Sequence, residues 1–199
     1  MFIEYLELPV DKWIDSAVSW LIANYRFIFQ KIKIPIELTL NNIEAFLQWL
    51  PPFVVILAFA ALGFWAAGRR TGLFAFLGLL GIGIMGVWEE AMITLSMVLS
   101  SVIFCTIVGI PVGILGSQSD RFYSGIRPLL DAMQSTPAFV YLVPVVMLFS
   151  IGSVAGVIAT IVFSIPPVIR LTNLGIRQVH PELIEAGKAF GATRMQILI

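Results

Sequence analysis

The sequence predicts an all-α polytopic membrane protein, with about five transmembrane helices behind an N-terminal amphipathic helix. Three observations lead there. Of 199 residues, 59% are hydrophobic and only 12% are charged, where soluble domains carry roughly 45–50% and about 25%. Mean hydropathy is +0.96. The charges that do occur leave runs of spanning length between them. This composition excludes a soluble globular fold, and it excludes disorder, which needs low hydrophobicity and high net charge. Twelve basic and twelve acidic residues cancel, so no net field recruits nucleic acid.

Met1 to Leu8 carries two glutamates and no basic residue, so it does not have the pattern of a secretory signal peptide. Residues 1–50 form a tail ahead of the spans. Val10, Trp13, Ile14, Ala17, Val18, Leu21, Tyr25 and Ile28 recur at helical spacing and make one apolar face. Asp11, Lys12, Asp15, Ser16, Ser19 and Asn24 occupy much of the other face. Trp13 and Trp20 suit the headgroup zone, so the helix is expected on the outer membrane surface; packing against a partner's loops is the alternative. A second short helix, Ile36 to Leu50, is expected to lead into the first span.

A spanning helix needs about 20 apolar residues. The candidates are Pro51–Gly68, Thr71–Trp88, Ala91–Gly116, Pro137–Ile151 and Val154–Ile169, none of which contains a charge. The fourth is short, and the turn before it, from Leu129 to Met133, is expected to extend it. Gly152 and Ser153 alone separate the last two, which predicts a tight hairpin. Beyond residue 50 the eight basic residues are Arg69, Arg70, Arg121, Arg127, Arg170, Arg177, Lys188 and Arg194. Alternating spans put all of them on one side, opposite Glu89 and Glu90. Cytoplasmic segments collect Lys and Arg, so that side is inside and the N-terminal tail is outside.

Gly109, Gly113 and Gly116 let helices approach closely, as small residues do in lipid. Gly78, Gly81, Gly83 and Gly86 are read the same way, and Ser96 and Ser100 sit one turn apart. Pro111, Pro144, Pro166 and Pro167 interrupt spans and free backbone carbonyls, which suits a protein with an internal path. Gln134, Ser135 and Thr136, followed by Pro137, are either a helix start or the lining of a path. Phe139 and Tyr141 are the aromatics nearest that run. No span holds a mid-depth ionisable residue, which argues against a proton-driven transporter.

One cysteine, Cys105, and one histidine, His180, rule out an intramolecular disulfide, a Cys-based metal site and a histidine cluster. Cys105 is read as apolar filler. Neither a Walker A sequence, a metal-ligand set nor a nucleophile with a base is present, so no enzyme activity, metal or bound cofactor is expected in this chain.

The cytoplasmic segment 171–199 is the most informative. Pro181 at the first helical position and Glu182 in the first turn start a short helix. Leu183, Ala186 and Phe190 share a face, Gly191 is a helix stop, and Thr193 to Ile199 begins another helix. A short helix laid into a partner's groove is a common recognition mode. Glu185-Ala186-Gly187-Lys188-Ala189-Phe190-Gly191 resembles the EAA-xxx-G loop of ABC importer permeases, with Gly187 where that family has alanine. The family's motif continues to an Ile-x-Leu-Pro element beyond Ile199. The runs Arg127–Pro144 and Pro166–Ile176 are similar to permeases of the glycine betaine/proline betaine branch, and the likeness covers about residues 50–199.

The resemblance implies a partial type I importer permease fold over 51–199, with further spans after Ile199. It implies that Glu185, Ala186, Gly187 and Gly191 couple to an ATP-binding partner subunit, which holds the ATP. It implies an extracytoplasmic substrate-binding protein, a second and identical permease copy, and a multi-pass place in the plasma (inner) membrane. The cargo it implies is a quaternary ammonium osmolyte. Uptake of an amino acid or choline, an ATP-independent channel and a non-transporting scaffold are the rival readings. Gln134, Ser135, Thr136, Phe139 and Tyr141 are the candidate path residues.

Overall fold

The computed structural model describes residues 10–193 and 196–197. Among these residues it is helical throughout, with eight helices in chain order. They are α1 (Val10–Trp49), α2 (Pro52–Ala67), α3 (Arg69–Ile84), α4 (Trp88–Gln118), α5 (Asp120–Ser135), α6 (Ala138–Phe149), α7 (Ser153–Arg177) and α8 (Pro181–Ala189). The expected absence of a leader at Met1 to Leu8 lies outside the described residues. So do the side chains of Val10, Ile14, Ala17, Val18 and Leu21 from the tail's apolar face, and all but Gln196 and Ile197 of the helix after Thr193.

The tail differs from expectation in one respect. Instead of two helices it is one, 40 residues long, and it runs through Pro35. A proline in a helix removes a backbone donor. The carbonyl left without its helical donor is that of Lys31, one turn earlier; the Thr39 hydroxyl donates to the Pro35 carbonyl at 2.8 Å, on the far side of the proline. Trp13 and Trp20 are both more than half exposed.

The five apolar runs coincide with α2, α3, α4, α6 and α7. Among the described residues only α4, with 31 residues, and α7, with 25, are long and apolar enough to cross a membrane alone. Up to four crossings result if each of two bent pairs counts as one span: Phe27–Trp49 with α2, bent by 101°, and α5 with α6, bent by 99°. α2 and α3 have 16 residues each, about 24 Å at 1.5 Å per residue against a hydrocarbon core of about 30 Å. A charge-free run measures apolar length, whereas hydrogen bonding decides helix length. Gly68, at φ 89°, ends α2 and opens α3. The turn from Leu129 to Met133 belongs to α5, and the 99° corner prevents it from extending α6 as a straight rod.

The chain divides into two compact units. One comprises the described residues up to Ser100 together with Val143–Val157. In it, α2 and α3 form a close hairpin: a Cβ added at Gly63 would lie 3.1 Å from the Gly72 Cα. Leu47 of α1, Val55 of α2 and Met92 of α4 are buried together, with Ile43, Leu50, Trp88, Ala91 and Leu95 packed around them. Ser96 and Ser100 are fully buried. Their hydroxyls donate to the Ile93 and Ser96 carbonyls at 2.7 Å each, so they are spent on their own helix. Phe29 and Phe149 meet edge to face, with ring centroids 5.6 Å apart. The α6–α7 connection is Ser150 to Gly152, with Ser150 at φ 73° and Gly152 at φ 151°; Ser153 already belongs to α7.

The second unit comprises Ser101–Leu142 and Ile158 onward. Its seam is the one expected from Gly109 and Gly113. A Cβ at Gly109 would meet Val168 Cγ1 at 2.7 Å, and one at Gly113 would meet Thr172 Cβ at 2.6 Å and the Ile169 carbonyl at 2.9 Å. Helix α4 thus lies directly on α7 here, held by the packing that replaces water exclusion in lipid. Cys105 is buried in the same region, its sulfur 3.8 Å from the Ile161 carbonyl, consistent with filler. Gly78 and Gly81, in the C-terminal half of α3, are different. Nothing lies within 4 Å of a Cβ added at Gly78 or Gly81, so among the described residues they make no close packing, contrary to expectation.

Candidate coupling helix and translocation corner

Both groups of candidate residues fall in the second unit. The first group is on α8. His180 precedes the helix in an extended conformation, Pro181 takes the first helical position, and Glu182 stands in the first turn, as a carboxylate does where it complements the dipole. The far end closes with a complete Schellman motif. Gly191 adopts φ 79°, its N–H donates to the Lys188 carbonyl at 3.0 Å, and the Ala192 N–H donates to the Gly187 carbonyl at 3.0 Å. Gly191 is therefore required for its backbone, since a left-handed residue with a side chain costs roughly 1–2 kcal/mol.

A second device follows at once. The Gln196 side chain accepts from the Thr193 N–H at 2.8 Å, while the Gln196 N–H donates to the Thr193 hydroxyl at 3.4 Å. This is a capping box; Thr-x-x-Gln was its signature in the sequence and was not read as one. Gln196 and Ile197 are helical, so the chain passes from one helix to the next across Phe190 to Thr193.

No side chain of α8 is buried. Glu185 and Ala186 are exposed, and Gly187 is half-buried, because a Cβ there would sit 3.6 Å from Ile197 and 4.0 Å from Ala192. Leu183 is 66% and Phe190 is 92% exposed. The expected shared apolar face of Leu183 and Phe190 exists and lies open.

The second group surrounds the corner between α5 and α6. Ser135 is the last residue of α5 and Thr136 its C-cap. Their hydroxyls point backward rather than capping α6: both donate to the Ala132 carbonyl, at 3.2 Å and 2.9 Å. Tyr141 reaches back from α6, its hydroxyl 3.1 Å from the Ala132 carbonyl and 2.7 Å from the Met133 carbonyl. The Ala132 carbonyl also accepts from the Thr136 N–H at 3.3 Å, whereas the Met133 carbonyl faces Pro137 in place of a backbone donor, and the Tyr141 hydroxyl supplies one from the other arm of the corner. Gln134 is exposed, and Phe139 is 83% exposed. The structure thus brings Ser135, Thr136 and Tyr141 together and leaves Gln134 and Phe139 turned outward.

Sequence reasoning did not pick out the ionic ties between helices. Arg170 of α7 meets Asp131 of α5 at 2.6 Å. Arg177, the last residue of α7, meets Asp120 at the start of α5 at 2.7 Å. Because residue 170 pairs with 131 and residue 177 with 120, α5 runs antiparallel to α7. Arg177 also donates to the Gly116 carbonyl at 2.9 Å and to the buried Asn173 side chain at 2.8 Å. The only sequence signal was the seven-residue spacing of the two arginines, which puts them on one helix face.

Comparison with known proteins gives a consistent picture. Residues 106–199 match the family model of the binding-protein-dependent transport system inner membrane component. Over 96% of its length the chain is 46% identical to the glycine betaine/proline betaine transport system permease protein ProW of Escherichia coli (strain K12), of which it covers 54%. It is 41% identical to the glycine betaine transport system permease protein OpuAB of Bacillus subtilis (strain 168), again over 96% of the chain, covering 68% of that protein. It is 40% identical to the glycine betaine/carnitine transport permease protein GbuB of Listeria monocytogenes serotype 1/2a (strain 10403S), covering 69% of it. The chain spans about half the length of the Escherichia coli relative and about two thirds of the other two. With its apolar helices and this match, the chain belongs to the family of binding-protein-dependent transport system inner membrane components, as a multi-pass membrane protein.

Proposed function

We propose that this chain is the membrane-spanning permease subunit of an ABC importer for glycine betaine/proline betaine-type osmolytes. The observation that carries the reading is α8: a short helix with no buried side chain, stopped by a left-handed Gly191, carrying Glu185-Ala186-Gly187 where importer permeases carry their EAA motif. The names of its relatives supply the cargo class. In this reading an ATP-binding subunit grips α8 and binds the nucleotide, so this chain needs no cofactor of its own. An extracytoplasmic binding protein delivers the solute, and a second copy of the permease completes the path. The arginine-rich side, with residues 171–199, faces the cytoplasm, and residues 1–50 face outward.

The mechanism follows from rigid coupling. Closing of the ATP-binding subunits displaces α8, and the displacement tilts the packed α4–α7 seam, so the path opens to the other side. The corner with Gln134, Ser135, Thr136, Phe139 and Tyr141 is its proposed lining. Aromatic faces bind quaternary ammonium groups, which makes the exposed Phe139 the natural contact at the corner. The test uses the full-length protein with its ATP-binding subunit in proteoliposomes, measuring uptake of labelled glycine betaine against choline, proline and carnitine. Glu185→Lys and Gly191→Val are expected to insert normally while ATP hydrolysis no longer drives uptake. Normal uptake in both variants would overturn the assignment of α8, and uptake without ATP would leave a channel as the better reading.

A further inference from the structure

The helix proposed to receive the ATPase stroke is joined to the rest of its unit by a very short link. Only Gln178, Val179 and His180 separate α7 from α8. The link stays bonded to α7: Gln178 N–H donates to the Leu174 carbonyl at 2.9 Å and Val179 N–H to the Ile176 carbonyl at 3.4 Å. A push on α8 therefore arrives first at the last turn of α7, where Arg177 stands.

Arg177 holds three helices at once. Its guanidinium reaches the Gly116 carbonyl in the last turn of α4, Asp120 in the first turn of α5, and Asn173 one turn back on α7. It also sits over the Tyr123 ring, 6.0 Å from its centroid. The electrostatics agree, since the C-terminal end of α4 presents unpaired carbonyls and the negative end of a helix dipole. Two turns earlier Arg170 grips Asp131 near the other end of α5. Between those grips lies all but the last turn of α5, and beyond Asp131 come the Ala132 and Met133 carbonyls that tie down Tyr141 and Thr136.

We propose that Arg177 and Arg170 are positioning residues that make α5 the rod between α8 and the α5–α6 corner. Movement at α8 enters α5 at Asp120 and Asp131 and leaves it at the corner that carries Ser135, Thr136 and Tyr141. Exposed ion pairs contribute little to stability, with a median near 0–1 kcal/mol, so the role of these pairs is to transmit displacement. The forked guanidinium is needed at Arg177, because a lysine has no planar fork with which to engage a carbonyl, a carboxylate and an amide together.

This inference rests on the reading of α8 as the coupling helix, and the experiment separates the two. The full-length protein with its ATP-binding subunit is reconstituted, and ATP hydrolysed per solute imported is measured for wild type, Glu185→Lys, Arg177→Ala, Arg177→Lys, Arg170→Asp and the swap Arg170→Asp with Asp131→Arg. The ratio is expected to rise at least fivefold in Arg177→Ala, Arg177→Lys and Arg170→Asp, with the thermal midpoint and the solute KM near wild type. The charge swap is expected to bring it back to within about twofold. A merely structural role would instead lower hydrolysis and uptake together at a constant ratio, and would lower the midpoint; that result overturns the proposal. So does a swap that fails to rescue. If Glu185→Lys leaves the ratio unchanged, it is the assignment of α8 that falls.

Discussion

Gly113 and Gly78 are both glycines inside apolar helices, and substituting each by alanine should have opposite consequences. At Gly113 the new Cβ would stand 2.6 Å from Thr172 Cβ and 2.9 Å from the Ile169 carbonyl, whereas ordinary contact begins at 3.4 Å. The shortfall is 0.8 Å at Thr172, the difference between 3.4 and 2.6 Å, and one of the obstructing atoms, the Ile169 carbonyl oxygen, is backbone. The α4 and α7 axes must therefore move apart along the seam, and overpacking of this kind costs about 1–3 kcal/mol. At Gly78 a Cβ meets nothing within 4 Å, so alanine should be neutral or gain up to about 1 kcal/mol from the loss of glycine's backbone freedom. Each 1.4 kcal/mol is a factor of ten in an equilibrium constant, so Gly113→Ala should raise the unfolded fraction roughly 5- to 140-fold. Equilibrium unfolding of the purified full-length protein in mixed micelles, titrated with SDS and followed by circular dichroism, measures both variants side by side. Wild-type stability in Gly113→Ala, or equal destabilisation by Gly78→Ala, would refute the argument that α4 lies directly on α7.

Two further outcomes are expected. Tyr141→Phe keeps the ring but removes the donor shared by the Ala132 and Met133 carbonyls; the Met133 carbonyl loses more, since Ala132 keeps Thr136, and the cost should be about 0.5–1.5 kcal/mol, read as a lower thermal midpoint. In a Cys105→Ala background, a cysteine at Asn24 should react with an impermeant maleimide applied to intact cells and one at Thr193 only after lysis, and the reverse pattern would invert the orientation.

The helical character of the chain was legible because apolar runs and charge interruptions are properties of neighbouring residues. The start and stop of α8 were legible for the same reason: Pro181 and Gly191 act through their own backbone angles. The merging of two short helices into α1 was not, because proline ordinarily breaks a helix and α1 runs through Pro35. Span length was misjudged at α2 and α3: the sequence already parts the two runs at Arg69 and Arg70, but each helix stops at 16 residues, α2 at the left-handed Gly68 and α3 at the turn through Met85 and the left-handed Gly86. At the path corner the polar run was visible, but its direction was not. Ser135 and Thr136 could have capped either helix, and the 99° bend together with Tyr141 turned them toward α5.

Sequence alone therefore determined that this protein lives in a membrane, is helical, and carries a glycine-stopped helix suited to a partner. Those properties depend on apolar area and local dihedral preference, which a residue brings with it. Tertiary structure decided which glycines form a seam and which lie open, and it decided that Arg170 and Arg177 meet Asp131 and Asp120 across 39 and 57 positions of chain. Such pairings exist only once two helices are laid antiparallel, because a charge has no intrinsic preference among distant partners until packing brings one within reach.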